Sequence, residues 1–126
     1  MTLFHVWFST KGRTDVLVGE LRDLGLSECR RLAKVADVTL IAAQTEYDHM
    51  HLLLRLSDPE DLSSVMHLLK GSSSRTVTLQ FPELRAEMGK SFWQKSFGRR
   101  LVPEDQLETV RRYIETQDDR PARHND

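Results

Sequence analysis

The period of apolar positions along the chain changes several times, and each change marks an element. Leu3 to Ser9 is rich in aromatic and β-branched residues and runs into Thr10-Lys11-Gly12-Arg13, which predicts a first strand followed by a basic loop. From Thr14 to Ala36 the spacing shifts. Val18, Leu21, Leu24, Leu32 and Val35 recur three or four positions apart, with a gap at Glu28 and charged residues between, which predicts a helix with Gly25 as its weak point. Val38 to Gln44 and His49 to Leu56 flank the polar corner Thr45-Glu46-Tyr47-Asp48 and read as two strands of an antiparallel hairpin.

Asp58-Pro59-Glu60 then opens a second helix, with proline in the first turn and acids beside the positive end of the dipole. Leu62, Val65, Met66 and Leu69 continue it, and Gly71 with three serines leaves its far end open. Gln80 to Gly89 reads as an irregular connection, Phe92 to Val102 as a last strand or extended segment, and Pro103-Glu104-Asp105 as the start of a final helix carrying Leu107, Val110, Tyr113, Ile114 and Gln117. The order strand, helix, strand, strand, helix, strand predicts an α+β fold. It is the ferredoxin-like (split βαβ) arrangement: an antiparallel sheet with helices on one face, the other face open, plus a C-terminal helix carrying the tyrosine.

Composition narrows this picture. At 126 residues and 39% hydrophobic content, the expectation is one domain over 1–126, with the polar stretch 118–126 as a flexible tail. The formal net charge of -1 supplies no global basic field, so a nucleic-acid site has to be a local patch. Cys29 is the single cysteine and excludes an internal disulfide or a multi-cysteine zinc site, which fits a reducing cytoplasm. Met1 to Phe8 lacks the pattern of a signal peptide, and no apolar stretch approaches the length of a membrane span. P-loop, dinucleotide-binding, zincin and nucleophile-elbow motifs are missing, so no nucleotide cofactor is expected.

Three constellations could carry chemistry. In Asp48-His49-Met50-His51 the strand alternation turns His49 and His51 to one face and Met50 to the core, so two imidazoles converge where a divalent metal could sit with open positions. A bare H-x-H is also the pattern of two half-exposed histidines on a solvated sheet face. Tyr113 and Gln117 lie four apart on the last helix and share a face, although a tyrosine at that spacing is commonly a packed aromatic with its hydroxyl at the rim. Lys11, Arg13, Lys70, Arg75, Lys90, Lys95, Arg99 and Arg100, with Ser72 to Ser74 and Trp93 among them, suit single-stranded nucleic acid, where cations follow the backbone and rings stack on bases. Ordinary surface charge accounts for the same scatter, since acids are equally numerous.

Taken in order, five segments resemble one family. They are His5-Val6-Trp7-Phe8-Ser9-Thr10-Lys11-Gly12-Arg13, Asp48-His49-Met50-His51-Leu52-Leu53, Leu69-Lys70-Gly71-Ser72-Ser73-Ser74-Arg75, Phe92-Trp93-Gln94, and Val110-Arg111-Arg112-Tyr113-Ile114-Glu115-Thr116-Gln117. The chain resembles the single-tyrosine HUH transposases of insertion sequences that move as single-stranded DNA, including the REP-associated tyrosine transposases. The resemblance implies that His49, His51 and Gln117 hold Mg²⁺ or Mn²⁺ and that Tyr113 is the nucleophile, becoming joined to a 5′ phosphate. It also implies a homodimer and a hairpin or single-stranded DNA partner, with Lys11, Arg13, Lys70, Ser73 and Arg75 as candidate DNA contacts. Phe97 stands where many relatives carry tyrosine, a departure that touches packing more than chemistry. Three alternatives share parts of the pattern. One is an HUH replication initiator or relaxase, one a ferredoxin-like module that binds nucleic acid without cutting it, and one a domesticated transposase.

Overall fold

The computed structural model describes residues 1–89 and 91–116 and forms a mixed α+β structure built on a four-stranded antiparallel sheet. Strands β1 (Thr2–Ser9), β2 (Thr39–Thr45), β3 (His49–Leu56) and β4 (Gly98–Leu101) lie in the order β2-β3-β1-β4. β3 is thus inserted between β1 and β2, and every neighbouring pair is antiparallel. Helices α1 (Gly19–Val35), α2 (Leu62–Gln80), α3 (Glu83–Met88) and α4 (Leu107–Glu115) complete the described elements.

Strand alternation separates two cores. Phe4, Val6 and Phe8 of β1 and Met50, Leu52, Leu54 and Leu56 of β3 point to one face, where they meet Leu21, Leu26, Cys29 and Leu32 of α1 and Val65, Met66, Leu69 and Val77 of α2. Met50, Leu52 and Leu54 have no accessible surface, and burying each such side chain stabilises by about 1.5–3 kcal/mol. The intervening residues Leu3, His5 and Trp7 of β1 and His49, His51 and Leu53 of β3 take the other face. That face is not open as the strand pattern suggests. Leu3, Ala42 and Leu53 form a second, smaller core with Val102, Val110 and Ile114, which seats α4 against β2 and β3.

The other departures from the sequence reading have local causes. Residues 14–18 are irregular rather than helical: Leu17 is buried, and its N–H donates to the Tyr47 carbonyl at 3.0 Å, so the segment straps the β2–β3 corner. α1 passes through Gly25 unbroken, and Gly25 packs against the Met50 methyl, which a Cβ there would meet at 3.4 Å. α2 runs through Gly71 and the serines to Gln80. Ser74 Oγ accepts the Phe92 N–H at 2.8 Å and Ser73 Oγ accepts Trp93 Nε1–H at 2.9 Å, so these hydroxyls bind the 92–93 segment instead of terminating the helix. The connection read as irregular holds α3, which buries Leu84 and Met88. Of the span Phe92 to Val102, only Gly98–Leu101 is strand, while Trp93 makes a single bridge to Thr10.

Candidate active site

The corner joining β2 to β3 is held from three sides. Glu46 N–H donates to the His49 carbonyl at 2.9 Å, Thr10 N–H to the Asp48 carbonyl at 2.7 Å, and Leu17 N–H to the Tyr47 carbonyl at 3.0 Å. A backbone fixed this way presents Glu46, His49 and His51 as one cluster, whose ligand atoms all lie within 4.8 Å of one another. His49 Nε2 is 2.6 Å and His51 Nε2 3.1 Å from the same Glu46 oxygen, Oε2.

Hydrogen bonds on the far side of His49 explain what this cluster is suited to hold. Asp48 is fully buried, and its Oδ1 lies 2.7 Å from His49 Nδ1 while its Oδ2 accepts from Arg13 Nε at 3.1 Å. An ionised carboxylate only accepts, so Asp48 holds a proton on His49 Nδ1 and turns Nε2 towards the Glu46 carboxylate. His49 Nε2 and Glu46 Oε2 are 2.6 Å apart, close enough to share a proton or to converge on one cation. Two imidazoles and one carboxylate are a common donor set for a divalent transition metal with open positions, and the residues present fit such an ion.

A third histidine backs the cluster from β1. His5 Nε2 lies 3.0 Å from His51 Nδ1, and its ring centroid is 5.2 Å from that of His51. Burial, with the charges of His51 and Arg100 adding to it, pushes His5 down to a pKa of about 4, so it is neutral at physiological pH.

Tyr113 faces these rings from α4. Its ring stands edge-on to His51 at 6.4 Å and to His5 at 6.2 Å, and 43% of its surface is exposed. The space between is an open cavity of about 650 Å³, lined by His5, Trp7, Glu46, His49, His51, Arg100 and Tyr113 among others. Thus the structure brings His49, His51 and Tyr113 of one chain to a single cavity. Gln117 lies outside the described residues.

The candidate DNA contacts divide. Lys11 and Arg13 are exposed in the loop after β1; Arg13 reaches the cluster through Asp48, whereas the Lys11 ammonium lies by Gly89. Lys70, Ser73 and Arg75 belong to α2, on the opposite side of the sheet. Arg75 is exposed there, whereas Lys70 donates to the carbonyls of Gln94 at 2.5 Å and Ser96 at 2.9 Å, and burial lowers its pKa. Ser73 corrects the sequence expectation: it has no accessible surface and its hydroxyl is engaged by Trp93, which closes it to direct contact with DNA.

Sequence reasoning did not assign His5 or Glu46 to the site and named Arg100 only among scattered cations suited to nucleic acid. Strand alternation puts His5 and Trp7 on one face of β1, and Glu46 stands three residues before His49 at a corner. Only the register, which pairs His5 with Arg100 and Trp7 with His51, turns these hints into a site.

Comparison with known proteins agrees with this geometry. A family model described as transposase, IS200 like, matches residues 2–117. The ISDra2 transposase TnpA of Deinococcus radiodurans is 31% identical over 119 residues, covering 93% of this chain and 84% of that protein. The transposase for insertion sequence element IS200 of Salmonella typhimurium is 32% identical over 95 residues, covering 75% of this chain and 62% of that protein. Among solved structures, a candidate transposase of Deinococcus radiodurans R1 superimposes with a TM-score of 0.75 at 29% identity, over 93% of this chain and 92% of the other. The REP-associated tyrosine transposase bound to a REP hairpin shares the fold, with a TM-score of 0.67 at 15% identity, over 91% of this chain and 65% of the other. With a family model spanning nearly every described residue and a relative matched over most of its length, the chain belongs to the IS200-like transposases.

Proposed function

We propose that the protein cuts and rejoins single-stranded DNA through a covalent link to Tyr113. The observation that carries this reading is the placement of the Tyr113 ring, edge-on and 6.4 Å from His51, across a cavity from the Glu46–His49–His51 cluster. His49 and His51, with Glu46 or Gln117 as a further ligand, would hold Mg²⁺ or Mn²⁺. Such an ion, when bound, polarises the phosphate and orients it for in-line attack.

The remaining steps belong to the chain. The Tyr113 phenol loses its proton as Oη attacks phosphorus. The new Oη–P bond forms as the P–O3′ bond breaks, and the leaving oxygen takes up a proton as a free 3′ hydroxyl. The reverse attack by a 3′ hydroxyl restores the phenol and joins the strand, so no nucleotide cofactor is consumed. Arg100, lining the cavity, is placed to neutralise phosphate charge. Lys11, Arg13 and Arg75 serve as phosphate contacts outside the cavity, with Lys70 holding the 94–96 segment. The REP-associated relative solved with a DNA hairpin makes a hairpin with a single-stranded flank the substrate to try first, and a homodimer is the proposed working form.

The test is incubation with labelled single-stranded DNA carrying hairpins, with and without Mn²⁺, resolved on denaturing gels. A slow-migrating covalent adduct should form only with the metal and be lost in Tyr113→Phe and in the His49→Ala, His51→Ala double variant. Tight binding without any adduct would replace this reading with that of a non-cutting DNA-binding module.

A further inference from the structure

On the metal reading above rests one more assignment: we infer that His5 is a positioning residue, whose Nε2 accepts the proton of His51 Nδ1 and so leaves His51 Nε2 as the metal-facing atom. A neutral imidazole has one N–H and one lone pair, and the hydrogen bond at one nitrogen decides which atom is free to bind a metal. In His49 the pattern is plain. Nδ1 is held by Asp48 at 2.7 Å, and Nε2 faces Glu46. His51 repeats it with a different support, since its Nε2 faces the same Glu46 oxygen at 3.1 Å while its Nδ1 meets His5 Nε2 at 3.0 Å.

The fold leaves His5 suited to this task. Antiparallel register pairs His5 with Leu53 and Trp7 with His51, so His5 lies diagonally across from His51 on the same sheet face. His5 is 5% exposed and His51 7%, which leaves little room for water to take over the hydrogen bond. His5 Nδ1 is buried without a hydrogen-bond partner among the described residues. As a packing residue, an imidazole with one nitrogen unsatisfied is inferior to an apolar ring. The contact at Nε2 explains why a histidine serves there. The two ligands therefore differ in support, with a carboxylate behind His49 and an uncharged ring behind His51.

Glutamine and asparagine at position 5 separate this role from packing. Both put a polar amide in the same pocket, but the glutamine oxygen reaches as far from Cα as His5 Nε2 does, whereas the asparagine oxygen stops near Nδ1. Mn²⁺ affinity, measured by calorimetry on the purified full chain, should stay close to wild type in His5→Gln. It should fall by about 10–100-fold in His5→Asn, as for other lost supports behind a metal ligand. His5→Phe should lose Mn²⁺ affinity as His5→Asn does while melting no lower than wild type, which rules out loss through unfolding. Equal Mn²⁺ affinity in the Gln and Asn variants, or wild-type affinity in His5→Phe, would overturn the assignment. A wild-type protein that takes up no Mn²⁺ would sink the metal reading beneath it, and with it this inference.

Discussion

Asp48 illustrates how much of this site is decided by single side chains. Its carboxylate is buried between Arg13 and His49, so one group fixes the His49 tautomer and links a basic loop to the cluster. Asp48→Asn keeps the shape and removes the charge. Calorimetry should find Mn²⁺ binding weakened by about 10–100-fold, and wild-type affinity would show that Asp48 does not orient His49. At this scale the sequence was partly legible. His49, His51 and Met50 were assigned correctly to opposite faces because a strand's period is two and needs no knowledge of its neighbours. His5 and Glu46 escaped because their roles arise across a register and around a corner, neither of which spacing alone specifies. Ser73 was misread for a related reason: a serine in a basic run looks like a surface group until Trp93 is found hydrogen-bonded to it.

Among the elements, α4 and β4 hold the site together most narrowly. α4 is anchored through Val110 and Ile114 in the smaller core, and Ile114 has no accessible surface. Ile114→Ala should cost about 2–5 kcal/mol, expressed as release of α4. Hydrogen exchange should then accelerate in Leu107–Glu115 while β1 and β3 stay protected, and uniform acceleration would show instead that both cores unfold together. Gly98 on β4 is paired with Trp7, and a Cβ there would meet the indole at 2.1 Å. Gly98→Ala should therefore lower stability by about 1–3 kcal/mol in denaturant titration and push Trp7 from the cavity wall, with a shift in tryptophan fluorescence. The hairpin, the succession of elements along the chain and the tyrosine helix followed from periodicity. The strap at 14–18, the length of α2 and helix α3 did not, because each depends on tertiary hydrogen bonds or burial that overrides local propensity.

For the molecule as a whole, a net charge of -1 means that DNA affinity must come from a few placed cations and not from a general field. Arg13 touches the Glu46–His49–His51 cluster through Asp48 while the Lys11 ammonium lies by Gly89, so the two should behave differently. Lys11→Ala should reduce the slope of log affinity against log salt by about 0.7 for single-stranded DNA, with Mn²⁺ binding unchanged. Arg13→Ala should reduce the slope and also weaken Mn²⁺ binding, through Asp48. Variants that alter neither slope would move the phosphate track away from the β1 loop. Among the described residues no helix is long and apolar enough to cross a membrane.

The central claim is that chemistry passes through Tyr113, and the chain offers its own rival: Tyr47, the other tyrosine, is 40% exposed on the corner that carries Glu46 and His49. The most direct measurement is peptide mapping by mass spectrometry of the protein after reaction with hairpin DNA and Mn²⁺ and nuclease trimming. The account predicts a nucleotide joined through its 5′ phosphate to the peptide bearing Tyr113; a nucleotide on Tyr47, or a cleaved strand with no protein-linked nucleotide, would contradict it.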